Sequence, residues 1–286
     1  MQEESLEPAC RITPAQRVGA RRGWQWWRES IELLSVDTER WIVAVLLLMG
    51  IGLAIAVVCS FLPYVGDLIN GLLMPVFSVG FLYLVYRVLY GYAFAYGDVL
   101  IGLRYRTTAL LLAGAAQVGL QIMAGVVFFL LVTLFDSGAS AGAGPASAVE
   151  FAQGGRFLAV MVTFFLLATF FYLSAVWFQP ALVFFGESGP VQALKQSFRG
   201  VWINWRAFAL YGLVGLEVAV LPVAVFLLLF SMVGAFTAGL VAVLLYVLIG
   251  IAALATGLFF LAVMGMTTYM AFRDIYGLEA DTGRFL

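Results

Sequence analysis

The chain contains no histidine, only two cysteines in 286 residues, and only 11% charged side chains. Without histidine, a histidine metal site, a Ser-His-Asp triad and a histidine proton relay are all excluded. The two thiols are Cys10, in a polar N-terminal arm, and Cys59, inside the first apolar run; they are expected at different depths and therefore unpaired. The charge content is less than half of the roughly 25% typical of soluble domains. Together with 64% hydrophobic residues and a mean hydropathy of +1.04, this implies an integral membrane protein. The N-terminus opens on polar and acidic residues and meets no apolar run before Trp41. It therefore lacks the pattern of a secretory leader, and the first span is expected to stay in the mature chain.

A bilayer crossing takes roughly 20 mostly apolar residues. Runs of that kind cover about 41–62, 71–92, 109–134, 157–185 and 208–230, followed by a longer stretch over 233–272. At about 1.5 Å per residue, the last run is twice one crossing, and it reads either as one projecting helix or as a re-entrant piece plus a span. Arg11, Arg17, Arg21, Arg22, Arg28 and Arg40 precede the first span. Arg87, Arg104 and Arg106 surround the second connection, Lys195, Arg199 and Arg206 lie in the fourth, and Arg273 and Arg284 follow the last run, whereas only Arg156 lies near the other face. Positive charge collects on the cytoplasmic side, so both termini are expected inside, which demands an even number of crossings. The fold expected is an all-α, polytopic bundle of six transmembrane helices. It divides into a flexible cytoplasmic arm over 1–20, one membrane domain over 21–275 and a tail over 276–286, with 136–155 as a small-residue spacer on the outer side.

The stretch "RRGWQWWRES" at 21–30 places Trp24, Trp27, Ile31 and Leu34 on one helical face and Gln25, Arg28, Glu29 and Glu32 on the other. This predicts a short interfacial helix, its tryptophans at headgroup level and its arginines drawn to anionic lipid. Asp37 or Thr38 would then cap the first span. The plan recurs in "SGPVQALKQSFRGVWINWRAF", with an apolar stripe of Val191, Leu194, Phe198, Trp202 and Trp205. It recurs more weakly in "YGDVLIGLRYRTT", with Asp98 as cap and Leu100 and Leu103 as anchors. Three units of interfacial helix, turn and outgoing span are thus expected. Positive-inside anchoring accounts for the same basic and aromatic residues that a nucleic-acid surface would need, so no nucleic-acid partner is inferred.

The stretches "RRGWQWW", "PALVFFGESGPVQALKQSFRGVWINW" and "TYMAFRDIYG" resemble an uncharacterised family of six-span proteobacterial inner-membrane proteins. More distantly, they are similar to the membrane domain fused to some glycerophosphodiester phosphodiesterases. The resemblance implies a fold, a topology and an inner-membrane location. It brings no activity and no catalytic residues, and this chain has neither the histidines nor the length of the phosphodiesterase domain.

Glu217 is the only acid well inside an expected span, at a depth where ionisable groups are costly and by default functional candidates. Gln117 and Gln121 lie at a similar depth on a face shared with Gly114 and Gly125, and the three are expected to form an intramembrane polar cluster, either a packing clamp or a coupling site. Arg87 reads as a snorkelling arginine between Tyr83 and Tyr90 or as a contact to lipid phosphate. Arg21, Arg22, Arg28, Lys195 and Arg199 are the other headgroup candidates. Pro180 and Pro222 are expected to kink their spans. No nucleophile and base can be assembled, and nothing calls for a cofactor or a metal. The reading favoured is a non-enzymatic membrane protein that binds lipid or a protein partner on the cytoplasmic face. The alternative is a small proton- or cation-coupled permease using Glu217.

Overall fold

The structure, a computed structural model, describes residues 10–63, 65–139, 148–277 and 279–280. It is an all-helical, multi-pass membrane protein. In chain order the helices are α1 (Arg22–Val36), α2 (Thr38–Ser60), α3 (Val65–Leu89), α4 (Thr107–Ala139), α5 (Ala148–Val176), α6 (Gln179–Phe184), α7 (Pro190–Ile203), α8 (Trp205–Phe236) and α9 (Gly239–Tyr276), with a 3₁₀ segment over Tyr96–Leu103. Six stretches are long and apolar enough to cross a membrane: α2, α3, most of α4, Arg156–Phe184, α8 and α9. A two-residue antiparallel pair, β1 (Cys10–Arg11) with β2 (Glu279–Ala280), joins the two ends of the chain.

The long run at 233–272 is divided by a turn at Thr237–Ala238: its first residues finish α8, and the rest belongs to α9, one unbroken helix of 38 residues. No proline interrupts α9, and glycines alone weaken a helix without breaking it. At about 1.5 Å per residue α9 is about 57 Å long, nearly twice the ~30 Å hydrocarbon thickness, so it projects well beyond the bilayer core. The spacer expected over 136–155 is shorter than the sequence suggests, because α4 runs to Ala139 and α5 starts at Ala148; residues 140–147 lie outside the described ones. The expected kink at Pro180 is a full interruption. α5 ends at Val176, and α6 restarts with Pro180 in its first turn, where a proline loses no hydrogen bond. α8 passes through Pro222 without a break.

The three connecting units are present, and they gather at one end of the bundle, with α1, the 3₁₀ segment and α6–α7 each preceding an outgoing span. Asp37 caps α2, accepting from the Arg40 backbone N–H. α1 packs against both α8 and α9, the 3₁₀ segment lies on α3, and α7 lies on α4, α5 and α6. The largest fully buried side chains, Trp26, Trp27, Trp41, Phe178, Phe184 and Phe185 among them, belong to this polar end. Within the expected arm, residues 1–9 lie outside the described ones, and beyond them Thr13 and Gln16 donate backbone N–H bonds to the carbonyls of Tyr276 and Ile275, and the Val18 N–H donates to Asn204 Oδ1.

Candidate functional site

The polar end is closed by α1, turned differently from the sequence expectation. Its buried face is Gly23, Trp26, Trp27, Ser30 and Leu34, while Trp24 and Ile31 are exposed. The helix is therefore wedged between α8 and α9, with Trp24 on its outer side. Gly23 is required, since any Cβ there would overlap the backbone of Ala207 in α8. The Trp27 indole donates to the Tyr211 carbonyl at 3.1 Å, and the Trp26 indole donates to Asp274 at 2.8 Å. A buried indole removes about 150–250 Å² from solvent, worth about 4–6 kcal/mol before entropy costs.

Arg22 points inward, which corrects its place among the headgroup candidates. It pairs with Asp274 and with Glu29 at 2.8 Å, and Glu29 also holds Arg273 at 3.0 Å. Burial opposes the Arg22 charge, but hydrogen bonds and attraction from Asp274 and Glu29 outweigh it and raise its pKa above the ordinary arginine value. These two acids and two arginines fix α1 to the last turn of α9. Arg87 likewise has a partner that the sequence reading missed: Asp98 accepts from it at 2.7 Å, and its guanidinium lies 5.9 Å from the Tyr92 ring centre. Asp98 is thus a counter-ion rather than a cap; Val99 and Ile101 are buried, and Leu103, one of the two expected anchors, is exposed. Arg21, Arg28, Lys195 and Arg199 are exposed, Arg28 beside Glu32. On α7 the inward face is Ala193, Ser197, Gly200 and Val201, and Val191, Trp202 and the following Trp205 face outward.

Below this closure the α5–α6 break is resealed by side chains. Ser197 Oγ accepts from the Phe178 N–H and donates to the Ser174 carbonyl. Gln179, fully buried, donates to the Pro190 carbonyl at 3.1 Å and accepts from Gln117 at 2.7 Å. Broken helices survive at membrane depth only where such partners exist. Gln121 donates to the Tyr172 hydroxyl at 2.7 Å. The expected cluster of Glu217 with Gln117 and Gln121 therefore does not form. The glutamines lie on the side of α4 that meets α5 and α6, whereas α8 packs on α1 and α9 and Glu217 is exposed on its outer face.

A cavity of about 530 Å³ opens between α2, α3 and α9, with the α5–α6 break at its inner edge. Val45, Leu48, Met49, Gly52 and Ile55 line it from α2, Asn70 to Leu82 from α3, and Leu261, Gly265 and Thr268 from α9. Counted from Thr38 at about 1.5 Å per residue, the α2 wall covers depths of about 10 to 25 Å. Its few polar neighbours include Gln117 and Trp177, and the Trp177 indole N–H is buried with no partner among the described residues. No family model, curated protein or solved structure matches the chain. Pro75, buried in α3 and part of this wall, is missed by the sequence reading although a proline inside an apolar run is a signal of the same kind as Pro180 and Pro222; Asp274 and Glu29 carry no such local signal as partners.

Proposed function

We propose that the protein is a non-enzymatic inner-membrane protein that holds a membrane lipid in the cavity between α2, α3 and α9, its arginine-rich end in the cytoplasm. The observation that carries this reading is the cavity itself, apolar-walled and lying at span depth, where the surrounding solvent is acyl chains. Asn70, Ser78, Gln117 and Thr268 are the polar residues on its wall and suit the ester region of a lipid. The positive-inside tendency supports the orientation, because α1, the 3₁₀ connection, α7 and the end of α9 carry the basic residues. Exposed Trp24, Trp202 and Trp205 at that end suit the headgroup layer, and the exposed Arg21, Lys195 and Arg199 suit lipid phosphates, as does Arg28 where it leaves Glu32. The resemblance to six-span inner-membrane proteins points to the same location.

Gly52 provides the test. Gly52 lines the cavity and a Cβ added there meets nothing within 4 Å, so Gly52→Phe adds bulk at the wall without a clash at the backbone. Native mass spectrometry of the gently extracted protein should show a retained lipid on the wild type that is lost from Gly52→Phe at unchanged thermal stability. Equal lipid occupancy in both would reject the cavity as the site.

A further inference from the structure

The outer face of α8 carries a packing pattern that the chain itself leaves unused. Leu210, Leu213, Glu217, Val220, Ala224 and Leu227 follow one another at alternating three- and four-residue steps, the spacing that lines one seam of a helix for contact with another. Tyr211, Gly215 and Pro222, on the opposite side, face α1 and α9. All of the seam except Leu210 is exposed. Glu217 at its centre has no hydrogen-bond or ion-pair partner among the described residues. Twelve residues beyond Trp205, it lies about 18 Å from the polar end, near the bilayer midplane, where lipid tails offer a carboxyl group nothing to bond.

We propose that this seam is the contact between two copies of the chain, α8 against α8 about a two-fold axis along the membrane normal. The membrane supplies the complementarity. Copies inserted in the same orientation hold each residue at one depth, so Glu217 meets the second copy's Glu217 and the leucine rows meet each other. Each Glu217 side chain offers the other the polar partner that hydrocarbon does not. A single polar residue in an otherwise apolar seam also fixes register and partner number, which a plain leucine face would leave open. The inference rests on α8 alone and is independent of the lipid cavity.

The test uses the full chain in bilayers in a Cys10→Ser, Cys59→Ser background. Leu213→Cys, Val220→Cys and Ala224→Cys lie on the seam; Gly212→Cys and Val223→Cys lie off it on the same helix. Under oxidant, the seam positions should give a species of twice the 31.1 kDa chain mass, and the off-seam positions should not. Glu217→Leu should weaken association about tenfold in single-molecule counting, and Glu217→Gln, which keeps a hydrogen-bonding group, by much less. A monomer at every protein density, crosslinking that ignores the seam, or a crosslinked species of another mass in native membranes would overturn the proposal. The Glu217 side chain is exposed, so none of these variants depends on repacking the interior.

Discussion

The two ends of this bundle are built under different rules. At the arginine-rich end Trp26, Trp27, Trp41, Phe178 and Phe272 are fully buried, and side-chain hydrogen bonds such as Trp26 to Asp274 and Ser197 to Ser174 tie its elements together. Away from it, the α4–α5 and α8–α9 hairpins expose Phe129, Phe165, Leu227, Phe236, Leu240 and Leu254. The difference follows from the solvent. Water at the polar end drives apolar groups together and penalises gaps, whereas lipid tails are as apolar as leucine and give the spans no comparable reason to close. Stability is therefore concentrated in the capping layer of α1, α6 and α7.

Substitutions at the two ends should differ in cost accordingly. Trp26→Ala has the largest expected effect: it empties a fully buried indole site and removes a donor to Asp274, costing about 3–5 kcal/mol in a detergent melt. Trp26→Phe should recover most of that loss. Leu254→Ala, on the exposed face of α9, has the smallest and should stay within about 0.5 kcal/mol. Comparable losses at Trp26 and Leu254 would mean that the outer half is packed as tightly as the polar end.

The sequence makes the architecture legible because its signals are local. Apolar runs mark the six spans, arginine positions mark one end, and Asp37 marks the start of α2 as a cap. The contacts of the polar end are not local. Arg22 meets Asp274 across 252 residues and Glu29 meets Arg273 across 244, so no spacing rule reaches them. For the same reason the buried face of α1 is misread: periodicity alone groups Trp24 with Trp27, but the groove between α8 and α9 selects Trp26 and Trp27, leaving Trp24 outside. Depth alone likewise groups Glu217 with Gln117 and Gln121, although helix packing turns them to different neighbours.

α1 is a wedge bolted to the end of α9, and a double-mutant cycle between Arg22→Gln and Asp274→Asn measures that bolt. The pair is partly buried and charge-assisted, and the cycle should return a coupling of about 1–3 kcal/mol in thermal or denaturant stability. Effects that simply add, to within about 0.5 kcal/mol, would contradict the claim and return α1 to the membrane surface as an independent interfacial helix.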